Sequence, residues 1–261
     1  MNSLEGLLRN ALLAAARSAR LKAMALRLPV TAAVVRRFVP GETIAECLAA
    51  VRALAADGLH ASIDFLGEDT TSPAQAAAVR DGYLEVLARL SAEGLTGTAE
   101  VSVKLTALGL GLPDGRGLAL AHAREICAAA SAAGTTVTVD MEDHTATDAT
   151  LGVLAELRRD YPDAGGVLQA YLHRTLDDCT LLAGEKSRIR LCKGAYAEPA
   201  EVAHQTREEV STAYVACARV LIAGDGYPML ATHDPEMIAA VAELAAQYGR
   251  EPGSYEYQML Y

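Results

Sequence analysis

Lys104 in "AEVSVKLTAL", Asp140 in "TTVTVDMED", Gln169 in "GVLQAYLH", Arg190 in "RIRLCKGAY", and Thr232 and His233 in "YPMLATHD" share one setting. Each lies in or at the end of a short apolar run that reads as a buried strand. A charge in such a place is costly unless a partner or ligand compensates it. The sharpest case is 188–196, which puts Arg188, Arg190 and Lys193 in one stretch and then breaks it at Gly194 and Ala195. Metal-assisted hydrolysis would want His or carboxylate ligands at short spacing, but the chain has neither H-x-H nor H-E-x-x-H. Serine hydrolysis lacks a G-x-S-x-G elbow. A Schiff-base aldolase needs an inward lysine beside a carboxylate, which Lys104 or Lys193 could supply. It leaves Arg190 and Gln169 without a shared purpose. A flavin dinucleotide uses all of these residues. A cation near the ring favours hydride acceptance, and the pyrophosphate wants cations or helix N-termini. The small Gly194-Ala195 step lets backbone come close to such a cofactor. The three cations are then expected to complement an anionic ligand.

These side chains need strands to aim them. Seven candidates alternate with alanine-rich helical stretches: 59–68, 99–108, 135–143, 166–173, 188–196, 227–234 and 254–260. Two of the helical stretches are 72–94, with Pro73 in its first turn, and 199–225. Strict alternation predicts parallel strands with helical crossovers, and seven repeats in one run favour an α/β fold of the (β/α)₈ TIM-barrel type over an open sheet. Period-two alternation places Val101, Val103 and Leu105 toward the helices and Ser102, Lys104 and Thr106 inside the barrel. By the same rule Asp140 points inward from the next strand. Lys104 and Asp140 alone would fit a buried ion pair with no further role. Five successive strands carrying a polar group at the ligand-binding end point instead to an active site at the barrel mouth. "LGLGLPDGRG" (108–117) does not have G-x-G-x-x-G spacing and reads as a loop.

Bulk properties narrow the class. The chain has 261 residues, 51% of them hydrophobic, enough for a large core, and a formal net charge of −10, which argues against nucleic acid as a partner. Five widely spaced cysteines with no C-x-x-C favour a reducing, cytoplasmic setting. Residues 1–57 read as an N-terminal helical segment and 58–261 as the barrel. Before residue 40 only Glu5 is acidic, against Arg9, Arg17, Arg20, Lys22, Arg27, Arg36 and Arg37. This segment either packs on the domain or touches an anionic membrane surface peripherally.

At the residues named above the sequence resembles the proline dehydrogenase family. The matching stretches are "DFLGE", "VSVKLTALG", "VTVDMED", "GVLQAYLHR", "RLCKGAY", "LATHD" and "YEYQMLY", in the family's order. The resemblance implies a distorted (β/α)₈ barrel that binds FAD and oxidises L-proline to Δ¹-pyrroline-5-carboxylate, with electrons passed to a membrane quinone. A flavin-binding domain without turnover is the non-enzymatic alternative. By motif, Lys104 supports the substrate carboxylate with Asp140 beside it, Arg190 meets the flavin where hydride arrives, and Leu260 lines the proline ring. Met141, Gln169, Arg190, Lys193, Gly194, Ala195, Thr232 and His233 match cofactor-contacting positions. No metal is implied.

The chain departs from the family in one respect. The eighth strand with its Tyr, and the last helix with the Arg pair that binds the substrate carboxylate, are absent from these 261 residues. The expectation is a chain shorter than the full gene product, which oxidises proline slowly even with flavin bound. Steady-state rates of this chain against one carrying the further helix check this; equal rates overturn it.

Overall fold

Each helical crossover returns the chain to the same end of the sheet, so successive strands can only pair in parallel. In the computed structural model, which describes residues 39–65 and 70–261, the described strands form one parallel sheet in the order β1 to β7. They are β1 (Ala61–Asp64), β2 (Ala99–Val103), β3 (Val137–Val139), β4 (Gly165–Gln169), β5 (Arg188–Cys192), β6 (Tyr227–Ala231) and β7 (Glu256–Gln258). The described helices are α1 (Ile44–Ala56), α2 (Pro73–Ala92), α3 (Gly115–Ala133), α4 (Thr147–Asp160), α5 (Thr175–Leu182), α6 (Arg207–Ala223) and α7 (Pro235–Gln247). The architecture is α/β, with the alternation of a distorted (β/α) barrel and seven strands among the described residues.

The chain divides into two units. Val51–Met259 holds the whole sheet; 39–50 and Leu260–Tyr261 belong to the other. In that second unit α1 opens on a carboxylate cap. Glu46 accepts the backbone N–H groups of Glu42 and Thr43, each at 3.0 Å. The helices expected before residue 39, and residues 66–69 of the first strand stretch, lie outside the described residues.

Sheet and helices meet over an apolar core. Val101, Val103, Ile189 and Leu191 are buried on the outward face. Ile189, Leu191 and Leu230 pack with Tyr214, Cys217 and Leu221 of α6 and with Val241 and Leu244 of α7. Burying each such aliphatic side chain contributes roughly 1.5–3 kcal/mol. Helix starts follow their capping residues. Ser72 accepts from Gln75 N–H at 3.3 Å and Pro73 opens α2. The helix expected across 199–225 begins only at Arg207, because Thr206 and Glu209 form a reciprocal capping box there. The preceding residues instead pair at Ala203 with Leu172. The glycine-rich stretch is not all loop either, since α3 starts at Gly115, where a Cβ would come within 2.2 Å of the Gly109 carbonyl oxygen.

The inward face is polar, and its contacts show that the sheet curls. Glu100 on β2 accepts from Arg188 on β5 at 2.8 Å and from the hydroxyls of Thr136 at 2.7 Å and Thr138 at 2.9 Å. Burial opposes the charge on Glu100, but Arg188 and Thr136 outweigh it and hold the carboxyl below the ordinary glutamate range. A depressed folded value means that the stabilisation from this group is present above its unfolded pKa and lost as pH falls through the folded one. Glu100→Gln leaves Arg188 without its carboxylate and is expected to cost about 3 kcal/mol at neutral pH. Urea unfolding across pH checks this: the gap to the parent protein should close in acid, and a gap that does not depend on pH contradicts the assignment.

Candidate active site

The residues at the upper ends of the strands converge on Asp140. It follows β3 directly, and its N–H donates to Val103 on β2 at 2.9 Å, which fixes its height. Arg190 reaches it across the barrel from the middle of β5, with only 14% of its side chain exposed. Arg190 Nη1 donates to Asp140 Oδ1 at 2.7 Å and Ser102 Oγ at 3.0 Å, Nη2 to Ser62 Oγ at 2.9 Å, and Nε to Gln258 Oε1 at 2.5 Å. One guanidinium therefore touches groups on β1, β2 and β7 and the residue that follows β3. Ser102 Oγ also donates to Asp140 Oδ1 at 2.8 Å.

Lys104 lies between two carboxylates. Its ammonium donates to Asp64, at the end of β1, and to Asp140 Oδ2 at 3.4 Å. Burial alone would lower its pKa, but Asp140 and Asp64 together outweigh burial and raise it above the ordinary lysine value. Burial raises the Asp64 pKa, and Lys104 only partly offsets this. A Schiff base requires a neutral amine at its lysine. An ammonium held between two carboxylates is the wrong state, so the geometry argues against Lys104 as an aldolase nucleophile.

A second cluster caps the mouth beside β5 and β6. Lys193 Nζ donates to Asp234 at 2.7 Å and to Ser211 of α6 at 3.2 Å. Asp234 is the N-cap of α7 and accepts from Glu236 N–H at 3.0 Å. The bond from Lys193, supported by that cap and by Arg207, holds the Asp234 carboxyl below the usual aspartate range. Thr232 is buried, donates its N–H to Gln258 O and accepts from Asp234 N–H, both at 3.0 Å. His233 and Ala195 are exposed. Gly194 has φ +111°, and a Cβ there would fall 2.4 Å from the Tyr171 ring. Two helix N-termini, those of α6 and α7, thus flank this cluster.

The remaining expected residues sit apart. Gln169 is buried, and its amide donates to the Glu142 carbonyl at 2.8 Å. Met141 is buried in the core cluster with Val167 and Leu168. Leu260 is 70% exposed and belongs to the other unit, so the role expected of it rests on the resemblance. The charge argument needs correction. Arg188, Arg190 and Lys193 each have a carboxylate of the chain itself, in Glu100, Asp140 and Asp234 respectively, so their burial does not require an anionic ligand.

Sequence reasoning missed several members of the site. Ser62 and Asp64 alternate with Ile63, and Gln258 stands two residues after Glu256, so period-two alternation would have placed all of them inside. It also missed Glu198, which accepts the His144 N–H at 2.8 Å and bonds the His144 ring, tying the β5–α6 loop to the turn after β3. That bond had no sequence signal, because it joins two irregular segments. Among the described residues no group of three His, Cys, Asp or Glu side chains is placed to hold a metal ion.

Comparison with known proteins adds a second line of argument. The family model described as proline dehydrogenase matches residues 47–261. Proline dehydrogenase 1 of Bacillus subtilis (strain 168) is 34% identical over 226 residues, covering 87% of this chain and 74% of that protein. A proline dehydrogenase of Deinococcus radiodurans is 36% identical over 228 residues, covering 86% and 73% respectively. Among solved structures, proline utilization A (PutA) from Bdellovibrio bacteriovorus, inactivated by N-propargylglycine, superposes with a TM-score of 0.82 at 24% identity. That likeness is one of fold. It covers 88% of this chain and only 29% of the PutA chain.

The close approach at Gly194 gives a direct check on the mouth. Gly194→Ala meets both the positive φ and the Tyr171 ring, and should cost about 2–3 kcal/mol of stability through strain and overpacking. Thermal unfolding of the variant measures it; an unchanged Tm means the loop is not held as described.

Proposed function

The chain belongs to the proline dehydrogenase family, and from that premise we propose that it oxidises L-proline to Δ¹-pyrroline-5-carboxylate with FAD as hydride acceptor and a membrane quinone as the final electron sink. The observation that carries the reading is the convergence of Lys104 and Arg190 on Asp140 inside the upper barrel. A substrate with one carboxylate and one amine is matched by a site offering a fixed ammonium, a fixed guanidinium and two carboxylates. Lys104 receives the substrate carboxylate. Asp140, held by Arg190 and Ser102, keeps Lys104 aimed at it.

The donor set also fits FAD. Arg190 supplies a cation at the ring. The cluster of Lys193, Thr232 and His233, with the N-termini of α6 and α7, supplies the donors that a pyrophosphate wants. Met141, Gln169, Gly194 and Ala195 complete the proposed cofactor positions around them. When bound, the flavin accepts the hydride that proline gives up. The chain's part is to position the donor carbon and to keep the interior dry. Among the described residues no helix is long and apolar enough to cross a membrane. In this reading the protein works in the cytoplasm and meets the bilayer at its surface to reach the quinone, with the basic segment before residue 40 as the contact.

The absorption spectrum tests the reading. The purified protein should show flavin bands that L-proline bleaches in the absence of oxygen. Arg190→Lys, which keeps a cation beside Asp140 but loses the guanidinium fork, should slow bleaching about a hundredfold in protein whose circular dichroism matches the parent, the usual loss for a donor that stabilises developing charge. A colourless protein, or bleaching at an unchanged rate, overturns it.

A further inference from the structure

Asp140 and Asp64 face the same ammonium but are held very differently. Asp140 Oδ1 takes two strong donors, Arg190 at 2.7 Å and Ser102 at 2.8 Å. Among the described residues Asp64 has one strong donor, Lys104, and its other oxygen has a long contact of 3.4 Å with the Tyr83 hydroxyl. That hydroxyl is committed elsewhere, since it donates to the Ser102 carbonyl at 2.7 Å. Asp64 also keeps 30% of its side chain exposed, against 15% for Asp140. Among the described residues the charged and titratable groups that act on it are Lys104 from β2, Asp140 after β3 and Tyr83 of α2.

We propose that Asp64 accepts the proton that the substrate's ammonium must lose before hydride can leave the neighbouring carbon. The inference rests on reading the upper barrel as the site of an amino-acid carboxylate. Proline arrives as a zwitterion. Its carboxylate draws the Lys104 ammonium away from Asp64. A carboxylate left beside Asp140 without its cation becomes more basic. One N–H bond of the substrate ammonium then breaks, an O–H bond forms on Asp64, and the electron pair stays on nitrogen. That lone pair is what assists the later departure of hydride. Binding of the carboxylate thus switches on the base that the amine needs, while Asp140 keeps its bonds from Arg190 and Ser102.

Two measurements test this together. Cyclopentanecarboxylate carries the ring and the carboxylate but has no amine to supply a proton. Its binding near pH 7, measured by calorimetry in buffers of different ionisation enthalpy, should draw close to one proton from solution. Asp64→Asn should bind it with no uptake, and Asp64→Glu should restore uptake. In turnover, Asp64→Asn should lower kcat/KM for proline about a hundredfold at neutral pH. The deficit should close as pH rises toward the amine pKa, because solution then supplies free amine. A purely structural role would depress the rate at every pH. Unchanged proton uptake in Asp64→Asn, or a deficit that is constant with pH, overturns the proposal. Absence of cyclopentanecarboxylate binding to the parent protein brings down instead the reading of this interior as a carboxylate site.

Discussion

The bond between Arg190 and Asp140 is the constraint on which the rest of the barrel interior depends. Moving a guanidinium and a carboxylate out of water is expensive, and the arrangement stands only because nearly every polar atom of both finds a partner. Ser102, Ser62 and Gln258 complete the arginine's bonds, and Ser102 and Lys104 complete the aspartate's. Each of these partners must come from a particular strand at a particular height. The register of the sheet and the chemistry of its interior are therefore one requirement.

The same logic explains two tiers of charge. The lower tier, Glu100 with Arg188 and two threonine hydroxyls, is saturated and buried and serves the fold. In the upper tier Lys104 is shared between Asp64 and Asp140. A group shared between two partners can be given up to a third at modest cost. That difference separates a structural ion pair from one able to receive a ligand, and no residue type taken alone reveals it.

Much of this was legible in the sequence. Val101 and Val103 alternating with Ser102 and Lys104 told which face met the helices, and the structure buries them accordingly. The nearness of Lys104 and Asp140 followed from period-two alternation on neighbouring strands. Pairing across the barrel did not follow, because alternation along one strand is silent about which residue stands opposite on a distant one. For that reason the cations of 188–196 pointed toward a ligand when their first partners are Glu100, Asp140 and Asp234. The late start of α6 was missed for a local reason: the alanine-rich run before Thr206 has helical composition, and the capping box decides against it.

The reach of Arg190 has a consequence for how the molecule assembles. Its bond to Ser62 closes a loop of 128 residues, and its bond to Gln258 ties in the strand at the other edge of the sheet. Contacts so distant along the chain return their energy only after the entropy of closing long loops has been spent, so they form late. The set of bonds around Arg190 is therefore completed only when β1 and β7 are both in place. A chain released before β7 has emerged lacks one of the bonds that fix the arginine in the middle of its sheet.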